Sequence, residues 1–144
     1  MTACVVDASV AAKWFLPTAN EPLSAEAAAL LARHAAGRLQ FFAPDLLWPE
    51  VGNVLWKAVR QRRMTSKSAL DAIRSLETLR IAVHPSLPVL QDAFEIARAF
   101  DRTVYDSLYV AVALVTGSPL VTADERLASA LAVHLPVRWL GALL

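Results

Sequence analysis

A single cysteine, four glycines and 19% charged residues in a chain of 144 are all low counts, and each excludes something. Cys4 alone forms no intrachain disulfide framework and no cysteine-ligated zinc site, and its place in an apolar run fits a reducing compartment. The three histidines, His34, His84 and His134, are scattered over unrelated segments and offer neither a zinc site nor a general base. No apolar run approaches the roughly 20 residues that cross a bilayer; the most apolar stretch, Leu108 to Val115, is far shorter. The amino terminus lacks a basic segment and Asp7 interrupts its apolar run, so no secretory leader is expected and the protein should be cytoplasmic. Neither a G-x-S-x-G elbow nor a Walker phosphate loop occurs, which removes serine-hydrolase and P-loop NTPase chemistry. A dominant charge sign is missing as well: 14 basic against 13 acidic side chains give +1, so net charge selects no partner.

What the chain has in quantity is hydrophobic residues, 56% of the total, with a mean hydropathy of +0.43. That balance is the opposite of intrinsic disorder and points to elements buried on two faces, as in a parallel sheet covered by helices. Without repeats, low-complexity tracts or linker-like stretches, residues 1–144 read as one domain. Cys4–Val6 reads as a β-branched strand ending at Asp7, and Leu23 to Ala36 as an Ala/Leu-rich helix closed by Gly37. After the apolar run Leu39 to Phe42, Asp45 is placed to cap a long helix to about Arg63, with Leu47, Val51, Val54, Leu55 and Val59 at helical spacing. Ser66 is placed to cap a helix to Leu79, Arg80 to His84 reads as a strand, and Pro88 to Phe100 as a helix. Thr103 opens a helix ending at Gly117, Leu120–Val121 is strand-like, and Thr122-x-x-Glu125 has the form of a capping box. A weak strand lies between Val133 and Trp139. Strands alternating with helices at this density predict an α/β fold with a mainly parallel sheet.

Such sheets place their chemistry beyond the carboxyl ends of the strands. Asp7 follows the first strand directly, and Asp124 lies three residues past Val121, so parallel pairing would bring both to one edge. Asp106 begins a helix and Glu50 lies early in the long one. Each acid has an ordinary structural explanation: Asp7 as a helix cap, Asp106 completing a capping box with Thr103, Asp124 complementing a helix dipole. Glu50 fits such an explanation least, because Leu46, Leu47, Trp48, Val51 and Val54 surround it in sequence and Asn53 is the polar group at i+3. Taken together the four acids favour a hard-cation site of oxygen ligands suited to Mg²⁺ or Mn²⁺. Without a cation they would repel, and at least one should protonate.

The residues also carry a resemblance. Val5-Val6-Asp7-Ala8-Ser9, Pro49-Glu50-Val51-x-Asn53-Val54-Leu55, Tyr105-Asp106-Ser107-Leu108-Tyr109-Val110-Ala111 and Val121-Thr122-Ala123-Asp124-x-Arg126-Leu127 resemble the successive motifs of PIN-domain ribonucleases, in order along nearly the whole chain. Within that family the chain is most similar to VapC-like toxins of prokaryotic toxin–antitoxin pairs. The resemblance implies a three-layer α/β/α sandwich, a Mg²⁺- or Mn²⁺-dependent endoribonuclease site, a homodimer and an inhibitory antitoxin. By position it makes Asp7, Glu50, Asp106 and Asp124 the acidic quartet, supported by Ser9, Asn53 and Thr122. Asp101 lies close enough before Asp106 to be mistaken for the third acid.

Among the remaining features, Lys57, Arg60, Arg62, Arg63 and Lys67 form the densest basic run. They read either as a solvated helix end or as a track for RNA phosphates leading from Glu50. Of the aromatics Trp14, Phe15, Trp48 and Trp56, most are expected in the core. Trp14 and Phe15, beside Lys13, are the better candidates to meet an antitoxin segment. Two other function classes remain. One is a non-catalytic RNA-binding or regulatory subunit on the same fold. The other is a phosphoaspartate protein of receiver or phosphatase type, which would want a second acid near Asp7 and a late lysine; no lysine follows Lys67.

Overall fold

A computed structural model describes residues 1–143. Five strands, β1 (Ala3–Val6), β2 (Gln40–Pro44), β3 (Ala82–His84), β4 (Leu120–Thr122) and β5 (Val137–Trp139), form one sheet in the order β3-β2-β1-β4-β5. Every pairing is parallel, with Cys4 opposite Phe41 and Val6 opposite Val121. Seven helices alternate with them among the described residues: α1 (Ala8–Ala11), α2 (Ser24–Ala35), α3 (Leu47–Arg60), α4 (Ser66–Glu77), α5 (Leu90–Phe100), α6 (Val104–Thr116) and α7 (Glu125–Leu131).

Period-2 alternation along the strands divides the core into two layers. Cys4 and Val6 of β1, Phe41 of β2 and Val121 of β4 pack with Ala27 and Leu30 of α2. Val5, Ala43 and Leu120, on the same three strands, pack on the other side with apolar residues of α3, α4, α6 and α7. Both faces of the sheet are covered, which is why its central strands are apolar at consecutive positions. The architecture is the α/β/α sandwich expected from the sequence. Helix α6 is buried from Ser107 through Ala113, so it is apolar nearly all round and ends where Gly117 adopts φ +63°.

Local signals at several helix starts differ from the sequence reading. Asp45 does not cap α3; Leu46 holds that position, and the Asp45 carboxylate accepts from the backbone N–H and hydroxyl of Ser86 after β3. A carboxylate at the end of β2 meets the neighbouring strand end before it meets its own helix. Thr65, not Ser66, caps α4, since Thr65 is the extended residue and its Oγ1 accepts from Ser68 N at 3.1 Å. The Thr122–Glu125 capping box does not form: Asp124 caps α7, accepting from Leu127 N at 3.0 Å. Helix α3 stops at Arg60, because Arg62 turns to φ +58° and Arg63 N bonds back to Ala58 O.

Candidate active site

The chain runs outward from β1 to β2 and β3 on one side and to β4 and β5 on the other, so β1 and β4 flank the point where the winding reverses. A crevice opens there beyond the strand ends, the usual ligand position in such sheets. It forms a cavity of about 120 Å³ lined by Asp7, Ser9, Glu50, Asp106, Tyr109 and Asp124, among others. Asp7 leaves the end of β1, Asp124 follows β4, Asp106 sits in the first turn of α6 and Glu50 in the first turn of α3. Four acids from four distant stretches of sequence thus share one small space.

Hydroxyl groups and backbone amides hold the strand-end acids. Asp7 caps α1, and its Oδ1 accepts from Ser9 Oγ at 2.5 Å and Val10 N at 3.2 Å. Ser9 Oγ accepts from Ala123 N at 2.9 Å and lies 3.4 Å from Thr122 Oγ1, which accepts from Asp124 N at 3.1 Å. Ser9 and Thr122 therefore stitch the ends of β1 and β4 together beneath the acids. Asn53 takes no part in this arrangement: it is exposed on α3 and does not line the cavity. Asp101 is also exposed, and it ends α5 in the left-handed conformation at φ +53°, so of the two neighbouring acids only Asp106 enters the cavity.

The electrostatics show carboxylates held against their preference. Burial pushes Asp7 up to about 6; hydrogen bonds from Ser9, Thr122 and Val10 oppose it, and the Glu50 charge adds to it. Repulsion was the expected cause, but desolvation is the larger one, since Asp7 is only 8% exposed. Burial also raises Asp106; its bond from Thr103 and the charge of Arg102 oppose this, and the Asp124 charge reinforces it.

The sequence reading missed one residue, Tyr109. Its hydroxyl donates to Glu50 Oε1 at 2.6 Å, supplying the partner that no neighbour on α3 provides. Its position offered a signal: three residues after Asp106 it lies on the same face of α6, with Ser107 one of two hydroxyl-bearing residues in a buried, otherwise apolar run.

The residues present suit a hard divalent cation. Among the described residues no three His, Cys, Asp or Glu side chains already stand together as a metal-holding group. Mg²⁺ does not need one, because it keeps several waters and binds through one or two carboxylates. Four carboxylates around a space of this size supply that with oxygen donors to spare.

Other sequence candidates lie outside the cavity. Lys57, Arg60 and Arg62 are exposed at the far end of α3, and Arg63 is engaged with Glu21 at 2.9 Å. The aromatics reverse the expectation. Trp14 donates to Ala27 O at 2.9 Å and stacks on Phe41, with ring centroids 5.1 Å apart, and Phe15 packs against the core. Trp48 and Trp56 are the exposed pair, at 36% and 56%. The reason is helical phase: Leu47, Val51, Leu55 and Ala58 take the buried face of α3, and the two tryptophans fall outside it.

Comparison with known proteins bears on the family and the fold. The PIN-domain profile matches residues 4–131. Ribonuclease VapC3 of Pyrobaculum aerophilum is 35% identical over 126 residues, spanning 86% of this chain and 91% of that protein. Ribonuclease VapC1 of Mycobacterium tuberculosis is 38% identical over 88 residues, 61% of this chain and 65% of that protein. Among crystal structures, PAE2754 from P. aerophilum superposes with a TM-score of 0.68 at 24% identity, covering 99% of this chain and 92% of that one. M. tuberculosis VapC20, described as a sarcin-ricin loop cleaving toxin, gives 0.64 at 16% identity, covering 92% and 95%. VapBC-1 of nontypeable Haemophilus influenzae gives 0.61 at 14% identity, covering 96% and 98%. With the profile spanning most of the chain and its four acidic motifs gathered at the sheet's switch point, the protein belongs to the PIN-domain family.

Proposed function

We propose that this protein is a divalent-metal-dependent endoribonuclease that hydrolyses RNA phosphodiester bonds as the toxin of a toxin–antitoxin pair, residues 1–144 acting as one PIN-like domain. The observation that carries the reading is the meeting of Asp7, Glu50, Asp106 and Asp124 around one small cavity with no lysine or arginine among its lining residues. Asp7 is assigned as a direct ligand, because it stands on a rigid strand end. Asp106 and Asp124 complete the site directly or through water, and Glu50 orients water or a ligand from α3. A bound Mg²⁺, with Mn²⁺ able to substitute, supplies Lewis acidity and offsets charge on the scissile phosphate. Ser9 and Thr122 keep the strand-end acids in register. Lys57, Arg60 and Arg62 are assigned to RNA phosphates; Lys57 lies about 10 Å along α3 from Glu50, within reach of the same strand.

The partners follow the same logic. Leu87, Leu90 and Phe94 leave an exposed apolar strip at the start of α5, which favours a C₂ homodimer. The acidic cavity suits an antitoxin that directs a cationic side chain into it. A toxin of this kind works in the cytoplasm, and among the described residues no helix is long and apolar enough to cross a membrane.

Incubation with defined RNAs in Mg²⁺, Mn²⁺ or EDTA tests the activity. Cleavage with either metal and none in EDTA is expected. Cleavage that persists in EDTA, or none with any metal, would sink the proposal. Light scattering should return twice the 15.6 kDa chain mass, and the product of a neighbouring gene should co-purify.

A further inference from the structure

Glu50 is the acid least supported by its own helix. The other three each have a backbone amide bonded to their carboxylate or to a hydroxyl beside them: Val10 N on Asp7, Leu127 N on Asp124, and Asp106 N on Thr103. For Glu50 the structure shows one side-chain partner, the phenol of Tyr109, at 2.6 Å. That distance is in the range of a charge-assisted O–H···O⁻ bond, roughly twice as strong as a neutral one. Tyr109 is 3% exposed, its ring fixed within the core layer that α6 shares with α3 and the sheet. Such a ring has little rotamer freedom, so the position of Oη is set by packing. A phenol has a single O–H to give, and here it is given to Glu50 Oε1.

From this geometry we infer that Tyr109 is a positioning residue for the cavity: its hydroxyl pins Oε1 of Glu50 and leaves Oε2 as the atom that works in the site. A glutamate on α3 has three side-chain torsions to settle, and a carboxylate free to turn would present either oxygen, or both, to a cation. The phenol removes that choice. It does so without adding a positive charge, which a lysine or arginine at this place would bring at the cost of competing with the cation. The chemistry explains why an acid among Leu47, Val51 and Leu55 meets a neutral donor from a different helix.

The inference rests on the metal-dependent reading of Glu50, and a double-mutant cycle separates the two. Tyr109→Phe keeps the buried ring and removes the hydroxyl; Glu50→Gln keeps the shape and removes the charge. Mn²⁺ affinity is measured by calorimetry on RNA-free protein, and kcat and KM on a defined RNA, for the wild type, both single variants and the double variant. Melting temperatures confirm that all four are folded. Tyr109→Phe alone is expected to weaken Mn²⁺ binding and lower kcat by about tenfold each, with KM for RNA unchanged, as when an outer partner of a ligand is removed. In the Glu50→Gln background the same change should do nothing further to either quantity, because the residue acts through Glu50. Equal effects in both backgrounds would mean that Tyr109 contributes packing alone, and would overturn the inference. Wild-type behaviour of Tyr109→Phe beside an impaired Glu50→Gln would also overturn it while leaving Glu50 in the site. Wild-type behaviour of Glu50→Gln would remove both.

Discussion

Glu21 and the cavity acids share a protein but are compensated in opposite ways. Glu21 lies between two cations, Lys13 at 2.7 Å and Arg63 at 2.9 Å. Burial pushes its carboxyl up, but the bonds and charges of those two side chains outweigh it and hold it below the ordinary carboxylate range. Asp7 and Asp106 have hydroxyls and amides instead of a cation in contact, and both are shifted upward. The first arrangement is complete as it stands and ties the segment before α2 to the end of α3. The second keeps its demand for positive charge, the signature of a site built for a ligand.

Substitutions break this comparison at different depths. Among substitutions that leave stability unchanged, the largest effect is expected at Asp124. Asp124→Asn can still cap α7 through its side-chain oxygen, yet RNA cleavage should fall by about 100-fold or more while the far-ultraviolet spectrum is unchanged. Retained cleavage would place the chemistry elsewhere.

Asp7→Asn should next reverse the usual cost of losing a buried polar charge. Asp7 sits near 6 in the folded protein against 3.8 for an ordinary aspartate. Between those values the folded chain holds a proton that the unfolded chain has released, so metal-free stability falls as pH rises from about 4 to about 6. Removing the charge should flatten that slope and leave the metal-free variant more stable by at most about 3 kcal/mol at pH 7. A pH series of denaturant melts reads both.

Glu21→Ala should act with the opposite sign. It leaves Lys13 and Arg63 facing each other, costs about 1 kcal/mol at neutral pH and becomes indistinguishable from wild type in acid. A lowered carboxyl contributes stability above its unfolded value, 4.5, and that contribution is lost as pH falls through the folded one. The two carboxylates should therefore give melting curves whose pH trends run in opposite directions. The smallest change is expected for Lys57→Ala, where one phosphate contact lowers the salt slope of RNA binding by about 0.7 and leaves Mn²⁺ affinity untouched.

The sequence made the sheet and the acids legible, and the interactions between them much less so. Val5-Val6-Asp7 and Val121-Thr122-Ala123-Asp124 show strand ends with a carboxylate beyond them, and parallel pairing follows from the alternation of elements. Helix caps proved harder, because Thr65 and Asp124 each have a second acceptor close by, Ser66 and Thr122, and the backbone angle decides which one caps. Asp45 was drawn off by Ser86, 41 residues away, a contact with no local signature. Trp48 and Trp56 look like core residues by size, whereas the phase of α3 leaves them outside. Tyr109 escaped notice for a related reason: its partner is 59 positions distant, and only the folded packing of α3 against α6 brings them together.

The central claim is that the cavity carboxylates create a demand for positive charge that a divalent cation meets during RNA cleavage. Mn²⁺ affinity and RNA cleavage, measured side by side on the wild type and on Asp7→Asn in preparations checked for contaminating nuclease, test it most directly. The account predicts tight Mn²⁺ binding and metal-dependent cleavage by the wild type, and the loss of both in a variant that is folded and no less stable. Undiminished cleavage by Asp7→Asn, or equal Mn²⁺ affinity in the two proteins, would contradict it.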